Sequence, residues 1–225
     1  MSAQGSGLEA KTTVDGTFIE MSGREQLVKS VESLTSYRRG WLIHADSDYV
    51  AVRVLYYVGS LYPQVLRLCR DALEKYLKLL LLELMGDQAP PDGKEADECL
   101  QKKFGHDLVK LRKACVSHAR DMGRMVLRNR PFVNGIEMLK SEQYETSARY
   151  PAELSFAGNT VQIFDHLIHD VRDVCLKLSQ ETPLEVVIRT LGLSEATGWP
   201  CLNREIIVDG FHHRNKRYPV AFHEP

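Results

Sequence analysis

The chain carries few of the marks that announce a chemistry. Its 225 residues contain no CxxC pair, and Cys69, Cys99, Cys115, Cys175 and Cys201 are odd in number and widely spaced. A disulfide framework or zinc knuckle is thereby disfavoured, and reduced thiols, three at apolar positions of predicted helices, are expected. No apolar run reaches ~18 residues, so no membrane span is expected. The opening MSAQGSGLEAKTTVDG has neither a basic stretch nor an apolar one, so it does not read as a secretory signal, and a cytoplasmic location is the expectation. A net charge of −1 gives no whole-molecule attraction to nucleic acid or lipid, so any such binding has to be local. The nucleophile elbow GxSxG, the phosphate loop GxxxxGK and the dinucleotide turn GxGxxG are all missing. No internal repeat or low-complexity tract is present, and no cofactor is expected.

What is present is ordinary globular material, 44% hydrophobic and 26% charged, rather than a disordered tail. Its organising stretch is Tyr62–Leu84, YPQVLRLCRDALEKYLKLLLLEL, which reads as one long helix. At 100° per residue Val65, Cys69, Ala72, Tyr76 and Leu80 form one apolar stripe, and Leu66, Leu73, Leu77 and Leu81 a second beside it. Together they span roughly 200°, about twice what a one-sided surface helix needs. Such a helix is covered on more than one side, and a second subunit is one way to cover it. Arg67, Arg70, Asp71, Glu74, Lys75 and Lys78 fill the remaining face and read as solvated charges in weak i,i+4 pairs.

Around this helix the chain parses in order. Residues 1–22 are rich in Gly, Ser, Thr and Ala, and are expected to be loose. Arg24–Thr35 reads as a short helix and Trp41–Ile43 as an apolar anchor. Asp46-Ser47-Asp48 reads as the start of a helix over Tyr49–Val58, because oxygen side chains take up the free N–H groups there. Pro63 restarts the chain as the long helix. Gly86–Gly93 is a loop, and Lys94–Lys103 a short helix ending at Gly105. A further helix reads continuously through Leu108, Leu111, Cys115, His118 and Met122 until Pro131 closes it. Asn134–Ser147 is weakly patterned, and Ala148–Pro151 reads as extended. An amphipathic helix runs from Thr160 to about Ser179, and Thr182-Pro183-Leu184-Glu185 is a capping box that opens the next, ending at Gly192. Ile206-Ile207-Val208 reads as a strand-like run, and FHHRNKRYPVAFHEP as a mobile basic tail.

Several of these landmarks fall in one order. Ala45, Asp48 and Ala51 come first, ALEKYLKLLLL (Ala72–Leu82) follows, then GHDL (Gly105–Leu108), then ARYP (Ala148–Pro151) before a closing helix. In order and spacing the chain resembles the HEPN family, the nucleotide-binding domains of higher eukaryotes and prokaryotes, over roughly residues 41–180. The resemblance implies an all-α, up-and-down helical bundle of about five helices, commonly a homodimer. Residues 1–40 would then be a flexible N-terminal segment with a short helix, and 181–225 a C-terminal helix with an irregular tail. Members bind nucleotides, sit beside nucleotidyltransferases in toxin–antitoxin pairs, or act as metal-independent RNases. By resemblance, Lys75, Lys78, His106 and Arg149 are the residues expected to hold a nucleotide or RNA phosphate, with Tyr150 available for stacking.

The RNase branch uses an Arg and a His four to six residues apart. Arg39 and His44, Arg38 and His44, Arg112 and His118, and Arg217 and His223 all satisfy that bare pattern. Arg112 and His118 are the candidate catalytic pair, yet on one helix they stand about 120° apart and converge only with a partner chain. Binding without cleavage is therefore the leading expectation, a ribonuclease the alternative, and a protein–protein adaptor the third. Arg120, Arg124 and Arg128, at i, i+4 and i+8, form a ridge able to grip phosphates. His166, His169, Asp170 and Asp173 share a helix side at metal-ligand spacing, but matching ligands on other helices are lacking, so no metal is expected. Thr182–Thr197 echoes a helix-turn-helix, but Gly198 and Pro200 cut the reading helix short.

Overall fold

The computed structural model describes residues 31–59, 62–140, 160–191 and 204–219. Among them it is all-helical with no strand, as the resemblance implies. After a 3-10 turn at Val31–Ser33 come α1 (Ser36–Val58), α2 (Tyr62–Met85), α3 (Lys94–Phe104), α4 (Leu108–His118), α5 (Asp121–Arg128) and α6 (Arg130–Lys140). Then follow α7 (Thr160–His169), which passes into a π-helical turn at Asp170–Cys175, α8 (Pro183–Leu191) and α9 (Arg204–His212). The bundle thus has nine helices among the described residues rather than about five, because α3 to α6 are short pieces.

α2 is the central rod. α1 packs along it, and α4, α6, α7 and the π turn touch it elsewhere. Val65, Cys69, Leu73, Tyr76, Leu77, Leu80 and Leu82 are wholly buried within this one chain. Both leucine stripes are therefore covered without a second copy, and α2 supplies no argument for a dimer. Its charged face is also not simply solvated: Glu74 and Lys78 are buried, while Arg67 and Asp71 do form an exposed pair at 3.8 Å.

α1 corrects the expectation of two segments. It runs unbroken for 23 residues from the N-cap Thr35, whose hydroxyl accepts from the Arg38 N–H, to Gly59, left-handed at φ 76°. Asp46 and Asp48 do not start a helix; they lie inside one, because each finds a better partner than a free N–H. Asp48 pairs with Lys75, and Asp46 turns inward to Tyr76 and Arg172. The start of α1 is tied across the fold, with Arg38 bonding Glu83 at 2.8 Å and Asp92 at 3.0 Å.

The predicted continuous helix through 118–122 is likewise broken. Arg120 is extended at φ −117°, ψ 164°, and Asp121 is left-handed at φ 41°, so the chain turns between α4 and α5. Pro131 does not close that helix but sits in the first turn of α6, where its missing N–H costs nothing. α6 orders the first half of the weakly patterned 134–147 stretch, and the rest of that stretch lies outside the described residues. Ile206-Ile207-Val208 is helical, within α9. It packs on α1 with Ile207 and Phe211 buried, so tertiary contact overrides β-branched preference. The segment after it is docked rather than mobile as far as residue 219, with Asn215 and Tyr218 buried. The expected loose segment 1–22, the start of the 24–35 helix, Arg149, Tyr150 and the helix-turn-helix echo beyond residue 191 lie outside the described residues.

Candidate functional site

Two buried arginines fix the frame on which any site must sit. Arg172, on the π turn, is fully buried and bonds Asp46 of α1 at 3.0 Å, its neighbour Asp173 at 2.9 Å and the Leu178 carbonyl at 2.9 Å. The π turn adds a residue to the helical winding, the kind of local irregularity that re-aims a side chain. Arg53 of α1 bonds Asp165 of α7 at 3.0 Å and donates to the Phe211 and His213 carbonyls after crossing to α9. Tyr49 donates to Asp165 at 2.8 Å and accepts from Asn215 at 3.2 Å, while Tyr218 donates to Asp173 at 2.5 Å. A guanidinium keeps its proton in a protein, so both carboxylates are needed opposite it. Burial nevertheless raises Asp46 from the usual carboxylate range, and raises Asp165 to about 6. Every polar group of this network is paired, and it reads as architecture rather than chemistry.

The surface group of most interest is at the corner between α3 and α4. Gly105, left-handed at φ 54°, turns the chain, and the Asp107 carboxylate caps α4 by accepting from Val109 and Lys110 N–H groups at 3.0 Å each. The Lys110 N–H holds the Asp107 carboxyl below its ordinary range against partial burial, helped by the Val109 N–H and the charges of Lys110 and Lys140. Between them His106 projects outward with its side chain 67% exposed. Its Nδ1 lies 2.9 and 3.1 Å from the two oxygens of Glu74 on α2. Glu74 Oε1 also accepts from Lys78 at 2.6 Å, and Arg70 donates to the His106 carbonyl at 3.2 Å. The Lys78 ammonium stands 5.6 Å from the Trp41 ring centroid. Beside it a shallow cleft of about 710 Å³ runs between Trp41 and the α3 residues Asp97, Leu100, Gln101 and Lys102.

The structure thus brings Lys78 and His106 together through Glu74, and sets Lys75 one step away on the same helix. The two lysines are engaged: Lys78 is buried against Glu74, and Lys75 pairs with Asp48. Glu74 is the member of this cluster that sequence reasoning missed. Its i,i+4 spacing to Lys78 was visible, but the cue that it faces inward, towards GHDL, is tertiary.

The other candidates lie apart. Arg112 donates to the Leu127 carbonyl at 3.0 Å, closing the C-terminal end of α5. His118 is the last residue of α4, six positions on, so the two do not converge within one chain. Arg120 precedes α5 as its N-cap, whereas Arg124 and Arg128 are on α5 itself, so the ridge is not one continuous helix face. Arg124 donates to the Ala119 carbonyl at 2.9 Å. His169 stands 3.7 Å from Asp170 and 3.9 Å from Asp173, while His166 accepts from Arg217. Among the described residues no group of three or more His, Cys, Asp or Glu is placed to hold a metal. None of their helices is long and apolar enough to cross a membrane. Cys69, Cys115 and Cys175 are buried free thiols, all raised by burial.

No family model matches the chain, and no curated protein or solved structure matches it.

Proposed function

We propose that the chain is a HEPN-like helical binding module that holds a nucleotide or RNA phosphate at the α3–α4 corner without cleaving it. The observation that carries this is His106, held at Nδ1 by buried Glu74 while its side chain stays largely exposed. With Nδ1–H given to the carboxylate, Nε2 carries a hydrogen only in the imidazolium form. That form is the phosphate-binding one. Lys110 adds a cation on the same corner, 66% exposed, and Lys140 is close enough to act on Asp107. Lys75 and Lys78 serve this reading as supports: they keep Glu74 and Asp48 balanced rather than reach for the ligand. The resemblance adds Arg149 and Tyr150 to the same site, and extends the proposal to a homodimer with a nucleotidyltransferase as partner.

Support for binding without cleavage comes from Arg112, whose guanidinium is committed to a backbone carbonyl. The test is a labelled single-stranded RNA incubated with the full chain in EDTA. The proposal expects intact RNA and saturable binding. Cleavage abolished by His118→Ala would establish the ribonuclease instead, and failure to bind RNA or nucleotide would leave a protein–protein adaptor.

A further inference from the structure

We infer that the outer face of α5 is a docking surface for an acidic protein segment that inserts one apolar side chain. α5 buries one large apolar side chain and exposes two others. At 100° per residue Leu127 points into the core, and Met122 and Met125 point away from it. These two methionines are 63% and 70% exposed. Both ends of α5 are fixed: the left-handed Asp121 opens it, and Arg112 holds the Leu127 carbonyl near its close. The methionines are presented by a held element rather than by a loose one.

Beside them is a socket. A cavity of about 90 Å³ has walls formed by Leu80, Leu84, Ala119, Leu127, Val174 and Cys175. An apolar cavity of about 150 Å³ accepts a benzene, so this one suits the end of an aliphatic or methionine chain. Met122, Gly123, Arg120, Asp121 and Lys177 complete its lining. Arg124 and Arg128 flank the methionines along the helix, and both are exposed. The patch therefore has an apolar centre, flexible thioethers and a rim that is net positive. Unbranched methionine adapts to varied partner side chains, and the cationic rim selects acidic flanks.

Charge alone would equally admit RNA on the arginines. The centre of the patch argues for protein, since bases stack on aromatic or guanidinium planes while methionines take up aliphatic groups. The occupant we assign is thus an Asp/Glu-rich segment with Leu, Met or Phe at its centre. This surface is separate from the His106 corner, so it stands or falls without that reading.

A short random peptide library panned against the full chain tests it. The expected enrichment is for acidic peptides with a central Leu, Met or Phe. Met122→Ser with Met125→Ser, and separately Arg124→Glu with Arg128→Glu, should each weaken the enriched peptide at least tenfold. Unchanged melting of the variants by circular dichroism separates this from unfolding, and ¹³C-methyl signals of Met122 and Met125 should shift on titration into the wild type. The inference is overturned by no enrichment, by peptides lacking acidic residues or by equal binding to the variants. It is also overturned if RNA displaces the peptide, or if sedimentation shows the face already occupied by a second copy that the methionine substitutions release.

Discussion

Asp46→Ala is the substitution whose cost the structure fixes most closely. Asp46 has no exposure, and its carboxylate receives Arg172 at 3.0 and 3.4 Å as well as the Tyr76 hydroxyl. Breaking one side of a buried pair costs about 3–5 kcal/mol, because the other charge stays buried. Arg172 keeps Asp173 and the Leu178 carbonyl, which argues for the lower end of that range. The stranded Tyr76 hydroxyl adds about 1–3 kcal/mol. A loss of about 4 kcal/mol is a large part of the roughly 5–15 kcal/mol that holds a domain folded. For a chain of this size it lowers Tm by on the order of 10 °C. Replacing the group together, as Asp46→Leu, Tyr76→Phe and Arg172→Met, removes the stranded guanidinium and hydroxyl, leaves Asp173 its bond from Tyr218, and should restore part of the stability. Urea denaturation of the three proteins reads this directly. A single-substitution cost below about 1 kcal/mol, or a triple variant less stable than Asp46→Ala, would refute the reasoning.

Three further outcomes follow from particular contacts. Asp165 is raised to about 6 by burial, against an unfolded carboxylate near ~3.9, so the folded chain takes up this proton first. Its contribution is present at low pH and lost as pH rises through 6. Between pH 7 and 4 it should add about 2 kcal/mol on acidification, seen as wild-type stability rising relative to Asp165→Asn. Thr182 and Glu185 form the predicted capping box, with Thr182 N–H to Glu185 at 2.6 Å and Glu185 N–H to Thr182 at 3.2 Å. Thr182→Ala should cost about 1 kcal/mol by chemical denaturation, and Thr182→Ser nearly nothing. A Cβ on Gly210 would meet the Val54 Cα at 3.0 Å, in backbone rather than a yielding side chain. Gly210→Ala should therefore push α9 off α1 and cost about 1–3 kcal/mol, measured the same way.

Much of the scaffold was readable in the sequence, for a physical reason. Helices whose pattern comes from local periodicity and caps fell where expected: α2 at Tyr62–Met85, α3 from Lys94 to its left-handed Gly105, and α8 behind its capping box. What sequence reasoning missed was decided at long range. Asp46 looks like a cap until Arg172, 126 residues away, is seen opposite it. Arg53 and Asp165, 112 positions apart, meet as a pair within the core. The Ile206–Val208 run has strand-forming residues, yet α1 offers it a helical groove. At the candidate site, His106, Lys75 and Lys78 were named by resemblance alone. The link between His106 and Lys78 was not legible, because it runs through Glu74, buried between them.

The central claim is that His106 is the ligand-facing group of a phosphate-binding corner. Its most direct test is the affinity of a short single-stranded RNA for the full chain and for His106→Ala, measured by fluorescence anisotropy in EDTA. Saturable binding to the wild type and a loss of about 1.5–3 kcal/mol, roughly tenfold or more, in His106→Ala are the expected results. Binding unchanged by the substitution would contradict the claim.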